Sequence, residues 1–401
     1  MPVGRFAHRV ELRPVALAER RHVPVEEARV ENAVHQVLRE VRRAEVEVSL
    51  LVADRLHESR LDALLVGHLP NIRWLSGFTG SSAFLLVEPG SATLVTDFRY
   101  RTQVDEELAD CISVTIAESD LFGAVARFLE DGGTGPRVGF EDHHLTIRDR
   151  RALGEACGAV MWEPAGRIVG DLRSAKDDEE IEAISRAVRV AETALSEVEA
   201  QISEGVSESE LAAELVYRLR LAGSASMPFD PIVASGPRSA LPHAQPSERR
   251  MRVGDLILLD FGARVDGYCS DMTRMFVLGP PAEWQVEIYS VVREAVRRAT
   301  EAAAPGIAAR DVDRAARTVI ADAGYGERFG HGTGHGVGIE VHEQPSVNAR
   351  SRETLQAGNV VTIEPAVYLP GRGGVRLENM VVIGDAGATV LNRFPLDLKQ
   401  L

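Results

Sequence analysis

Acidic side chains set inside apolar, β-rich runs constrain this chain more than any other feature. Asp260 follows four apolar residues in Leu256-Ile-Leu-Leu-Asp-Phe261, and Glu364 interrupts Val360-Val-Thr-Ile-Glu-Pro-Ala-Val-Tyr-Leu369. Glu378 lies within Gly373-Gly-Val-Arg-Leu-Glu-Asn-Met-Val-Val-Ile383, and Asp271 follows Tyr268-Cys-Ser270. A carboxylate in such a run is in a largely dry place. A lone buried charge is costly, so each acid must be paired, protonated or metal-bound. Two β-rich runs flank Val265-Asp266-Gly267, and Asp-Gly is a strong hairpin signal that predicts Asp260 beside Asp271. Pro370-Gly-Arg-Gly-Gly374 turns the Glu364 run back onto the Glu378 run, predicting one strand with Glu364 in its middle and another with Glu378 inside it. Residues i and i+2 of a strand share a face, so Arg376 and Glu378 point the same way. A salt bridge to Arg376 accounts for one of these acids but not for four. Two divalent ions would balance four carboxylates, and a pair of ions is a recurrent hydrolytic device.

A histidine-rich stretch accompanies the acids: His331-Gly-Thr-Gly-His-Gly-Val-Gly-Ile-Glu-Val-His-Glu343. His331 and His335 have the spacing of a zinc-protease helix, but Gly332 stands where that motif needs Glu. Each of the four glycines would cost about 1 kcal/mol in a helix relative to Ala. The stretch therefore reads as a loop leading into a strand, with Val337, Ile339 and Val341 on one side. Neutral His335 can add a nitrogen to the carboxylate set. Carboxylate-rich ligation favours hard ions such as Mn²⁺, while the imidazole also admits Co²⁺, Zn²⁺ or Fe²⁺.

The 401 residues imply two or three domains. Residues 1–48 read as an extension, with a polar helix over Val25 to Val48. Residues 49–170 alternate short strands (61–66, 83–87, 92–95, 112–116, 137–140) with helices such as Leu121 to Glu130, which predicts a compact α/β domain. Asn71 to Gly80 reads as a glycine-punctuated loop. Residues 171–401 read as an α+β domain with helices at 176–200, 208–221, 283–304 and 309–323. A net charge of −15 argues against nucleic acid and anionic membrane as partners. No apolar run reaches 18 residues, so no spanning segment is expected, and the N-terminus lacks the apolar core of a secretion signal. Cys111, Cys157 and Cys269 are scattered and odd in number, which suits a reducing cytoplasm. Only Lys176 and Lys399 are lysine among 45 basic residues.

In this order and in these local motifs, Asp260, Asp271, His335, Glu364 and Glu378 resemble the five-ligand set of the pita-bread metallopeptidases. That family includes methionine aminopeptidases, Xaa-Pro aminopeptidases and Xaa-Pro dipeptidases (prolidases). The resemblance spans about residues 50 to 395. Phe229 to His243, Asn71 to Gly80 and Thr96-Asp-Phe-Arg-Tyr100 resemble the proline-specific branch. The resemblance implies a creatinase-like α/β domain, walling the pocket and supporting a homodimer, before a pita-bread catalytic domain. It implies that Asp260 chelates one ion, Asp271 and Glu378 bridge two, and His335 and Glu364 complete the second. A water between the ions would attack the carbonyl before proline, with Glu364 shuttling the proton. His243, His331 and His342 would hold substrate and stabilise the oxyanion, His342 foremost; structural histidines are the plainer reading of each. Arg376 either binds the substrate carboxylate, tunes a ligand or forms a salt bridge; Arg350 and Arg372 are weaker candidates for carboxylate capture. Ala366 and Asn379 depart from the family's usual glycine and acid. The reading is an Xaa-Pro dipeptidase acting on dipeptides or short peptides, with an Xaa-Pro aminopeptidase as alternative. A metal-free creatinase-type amidinohydrolase and a non-catalytic peptide-binding scaffold are both disfavoured by the complete ligand set.

Overall fold

The computed structural model describes residues 47–108, 111–118, 120–131 and 137–401 of the chain. The expected helix over 25–48 lies outside these residues except for Glu47 and Val48, which open the helix Glu47–Ser59.

The first half is one mixed six-stranded sheet. Its strands are β1 (Ala63–Val66), β2 (Ala83–Glu88), β3 (Ser91–Asp97), β4 (Ile112–Ala117), β5 (Arg137–Phe140) and β6 (Met161–Pro164), in the order β4-β3-β2-β1-β5-β6. Strand alternation explains why β1 is apolar throughout. Leu64 and Val66 enter one core with Ile72 and Phe78, while Ala63 and Leu65 enter another with Val125 and Leu153. The loop expected over 71–80 is instead largely helical. Leu69–Ser76 forms a helix with proline in its first turn, and Gly77 closes it at φ +78°. Proline costs nothing at a helix start, and glycine takes the left-handed cap without strain.

The second half holds β7 (Ile232–Ser235), β8 (Leu256–Phe261), β9 (Arg264–Val265), β10 (Tyr268–Cys269), β11 (Met272–Val277), β12 (Gly334–Gly336), β13 (Glu343–Val347), β14 (Val360–Ile363), β15 (Ala366–Leu369), β16 (Gly373–Arg376), β17 (Asn379–Gly384), β18 (Gly387–Val390) and β19 (Lys399–Gln400). One sheet runs β19-β11-β8-β7, a second β13-β12-β14-β17-β18, and β15 pairs with β16. The helices Asp178–Val198 and Glu208–Leu221 share a core with Ile257, Leu259 and Phe261 of β8. The helices Glu283–Ala302 and Ala309–Asp322 share another with Leu256 and Leu258. By strand period, Asp260 faces the side of Leu256 and Leu258, which is also the side of Met275 and Val277.

The hairpin signal at Asp266-Gly267 holds. Both residues take positive φ (51° and 88°), as the two-residue turn requires, and β9 pairs with β10 across it. Two expectations fail in an informative way. The strand through Val337, Ile339 and Val341 is absent: β12 ends at Gly336, and 337–342 is a bent segment that returns into β13. Glu364 and Glu378 are not inside strands. Each sits at a break, Glu364 between β14 and β15 and Glu378 between β16 and β17. Pro365 has no N–H for a ladder, and pairing jumps from Ile363↔Asn379 to Ala366↔Arg376. Both glutamates thus leave the sheet plane where the chain crosses between sheets.

Candidate metal centre

The five predicted ligands converge on one cavity of about 990 Å³. β8 and β11 bring the first pair. Asp260 is the cross-strand partner of Thr273, and Asp271 lies two residues before Thr273 on the same face. His335 lies within β12, whose neighbour is β14, the strand that leads to Glu364. Gly334 makes that approach possible, because a Cβ there would collide with the Thr362 carbonyl. His335 Nε2 lies 3.6 Å from Asp271 Oδ2 and 3.5 Å from Glu364 Oε1. Ligand atoms of Asp271, His335 and Glu378 all fall within 4.8 Å of one another.

The electrostatics of this cluster are unfavourable as it stands. Burial pushes the Asp271 carboxyl well above its usual range, and repulsion from Glu378, Asp260 and Glu364 adds to it. Glu378 is raised well above its ordinary value by burial and then by Glu364 and Asp260. Burial raises Glu364 to about 7, against the pull of Arg376. Burial holds His335 down at about 4, so its imidazole is neutral and can offer a lone pair. Asp260 Oδ1 is buried with no hydrogen-bond partner. An orphaned carboxylate oxygen is expensive to leave unmet. Divalent cations fit this donor set: they satisfy that oxygen, relieve the mutual repulsion and match a carboxylate-plus-imidazole environment.

Sequence reasoning missed three residues that hold the set in place. Thr273 donates its hydroxyl to Glu378 Oε2 at 2.7 Å. The Thr362 hydroxyl accepts the His335 N–H at 3.1 Å and lies 3.5 Å from Glu364 Oε1. The Tyr368 hydroxyl lies 3.1 Å from His331 Nε2 and accepts from Arg376 at 2.8 Å. Thr362 and Glu364 are i and i+2, so that pairing was legible; Thr273 and Tyr368 depend on partners from distant segments.

Arg376, 3% exposed, ion-pairs with Asp260 and also donates to Thr273 Oγ1, the Pro242 carbonyl and Tyr368. Burial opposes its charge, but Asp260, Tyr368 and the two glutamates outweigh it and hold the guanidinium more firmly charged than usual. Its fork is thus largely committed inside the protein. Arg372 stacks 4.5 Å over the Trp284 ring and does not line the cavity. Arg350 does line it, and its guanidinium makes no hydrogen bond or ion pair among the described residues. His243, His331 and His342 also line the cavity. His342 stands edge-on to His335, ring centroids 4.3 Å apart. Burial lowers His331 to about 4 and lowers His342 as well, so both are neutral at pH 7.

The family described as Metallopeptidase family M24 matches residues 182–385, and the Creatinase/Prolidase N-terminal domain matches residues 51–175. An Xaa-Pro dipeptidase from Pyrococcus horikoshii is 36% identical over 348 residues, covering 86% of this chain and 97% of that protein. The solved Xaa-Pro dipeptidase from Bacillus anthracis is similar at a TM-score of 0.86 and 37% identity, over 88% of this chain and 99% of that one. The solved X-Pro aminopeptidase from Thermotoga maritima gives a TM-score of 0.80 at 35% identity, over 85% and 98% of the two chains. Family matches thus fall in both halves of the fold and nearly the whole length of these relatives is covered, and the chain belongs to metallopeptidase family M24.

Proposed function

We propose that the chain is an Xaa-Pro dipeptidase that works with two divalent ions, Mn²⁺ before Co²⁺ or Zn²⁺. The observation that carries this reading is the convergence of Asp260, Asp271, His335, Glu364 and Glu378 on one cavity, with an unmet oxygen on Asp260. In this reading Asp260, Asp271, His335, Glu364 and Glu378 would together hold the two ions. When bound, the ions would supply Lewis acidity toward a water and the scissile carbonyl.

The chain's own residues do the rest. Glu364, whose Oε1 lies 3.5 Å from His335 Nε2 inside the cluster, moves the proton from the attacking water toward the leaving proline nitrogen. His342 and His243 donate to the developing oxyanion and to the substrate backbone. His331, fixed by the Gly332 carbonyl and near Tyr368, orients the proline side of the substrate. Arg376 pairs with Asp260 and holds its carboxylate in place rather than binding substrate. Arg350, the cavity-lining arginine with an uncommitted guanidinium, suits capture of a free proline carboxylate, which favours dipeptides over longer peptides.

The domain division 1–48, 49–170 and 171–401, a homodimer supported by the first domain, and a cytoplasmic location belong to the same proposal. Among the described residues no helix is long and apolar enough to cross a membrane. Metal-stripped protein, resupplied with Mn²⁺, Co²⁺ or Zn²⁺, should release proline from Gly-Pro and much less from Gly-Pro-Pro. A preference for the tripeptide would favour the aminopeptidase reading instead. Failure to bind any of the three ions would remove the metallopeptidase mechanism altogether.

A further inference from the structure

Glu343 follows His342 directly and takes no part in the mechanism above, yet it is among the most heavily engaged acids outside the metal cluster. Its side chain is 6% exposed. It accepts from Lys176 Nζ at 2.8 Å, from Arg173, and from the backbone N–H of Glu340 at 3.0 Å. Its carboxylate lies where any Cβ on Gly338 would have to go. Glu343 is also the cross-strand partner of Gly336, the residue after His335. The carboxylate thus holds the middle of the bent segment 336–343, while its two ends, Gly336 and Glu343, pair through the backbone.

Its two cationic partners come from the junction between the halves of the chain. Arg173 ends the helix Ile168–Arg173, and Lys176 lies three residues beyond that helix, where its N–H donates to Gly358. Arg173 also donates to Asn71, which donates to Glu141, and it pairs with Glu340 at 3.1 Å. A continuous buried polar chain therefore runs from the first sheet to the segment bearing His335 and His342. The chain uses arginine for nearly every other cation, so a buried lysine at 176 marks a place where a compact ammonium fits.

We infer that Glu343 is a positioning residue: clamped by Arg173 and Lys176, it fixes the 336–343 segment so that His342 meets the substrate carbonyl. This rests on the proposed role of His342. The clamp makes the first domain's junction part of the catalytic scaffold rather than a tether.

The test replaces the clamp by apolar groups of similar length, Lys176→Met with Glu343→Met, in the full chain. Removing both members of a buried ion pair is often tolerated, whereas removing one leaves a buried charge; Arg173 keeps Glu340 and Asn71 as partners in this variant. The expected result is a folded protein with wild-type metal content and KM but with kcat lowered about tenfold to a hundredfold. Hydrogen exchange at the Glu340 amide should be faster. Wild-type kcat together with unchanged Glu340 exchange would overturn the inference. Should the double variant not fold, Glu343→Gln carries the same two readouts, and no change in either would overturn it equally. Glu340 exchange reports on the clamp even if the wild type releases no proline, so failure of the activity reading and of the clamp are distinguishable.

Discussion

Metal removal should reverse the way stability depends on pH. The groups that matter are the buried carboxyls and the buried histidines. Glu364 rises from 4.5 to about 7, so the folded, metal-free protein holds a proton that the unfolded chain has released. A raised pKa contributes stability that is full below the unfolded value and is lost as pH climbs through the folded one. For Glu364 this amounts to about 3 kcal/mol lost between about pH 4.5 and 7. Asp271 and Glu378 act in the same direction. His331 and His335 oppose them, because their values fall from 6.5 to about 4. They cost stability as pH drops below 6.5, since the unfolded chain then takes up protons that the fold refuses. The two sets offset each other in part between about pH 4.5 and 6.5. Above 6.5 the carboxyls act alone, and the metal-free protein should lose stability as pH rises. Bound ions displace those same protons, so their stabilisation should grow over that range. A ligand at a thousandfold its Kd adds about 4 kcal/mol. Scanning calorimetry of stripped and Mn²⁺-loaded protein from pH 6.5 to 8 checks this. If the stripped protein grew more stable across that range, or if Mn²⁺ gave the same shift at every pH, the account of why these acids coexist would be wrong.

Other perturbations separate the roles of individual residues. In the metal-free protein Arg376→Met should cost about 3–5 kcal/mol, because it removes one partner of a buried ion pair; denaturant titration reads it. Arg350→Ala should raise KM for Gly-Pro by about tenfold, one charge-assisted contact's worth, while leaving Gly-Pro-Pro turnover nearly unchanged. An equal effect on both substrates would show that Arg350 does not read the proline carboxylate. Gly334→Ala forces a methyl into the Thr362 carbonyl and should push β12 off β14, lowering metal content per chain; a variant with full metal content would contradict the proposed reason for that glycine.

The sequence was informative wherever a local rule forces the outcome. Four acids in apolar runs had to be gathered, and they are. Asp266-Gly267 had to turn, and its positive φ angles confirm it. The glycines around His335 had to exclude a helix, and a strand contact with the Thr362 carbonyl explains why. Local rules failed where two readings were locally equal. Leu69–Ser76 carries a proline and ends before a glycine, which suits a loop as well as the short helix it forms. The runs around Glu364 and Glu378 look like unbroken strands until the chain crosses between sheets at both acids.

What the sequence alone determined is the inventory of chemistry: which carboxylates and which histidine are available, and that they cannot remain apart. Side-chain type and strand period are local properties, so no fold is needed to read them. Tertiary structure decided the partnerships: Arg376 with Asp260, Thr273 with Glu378, and Glu343 with Lys176 across 167 residues of chain. Those pairings come from the closure of long loops around shared cores, and nothing in a short window of residues encodes which distant groups that closure brings within reach.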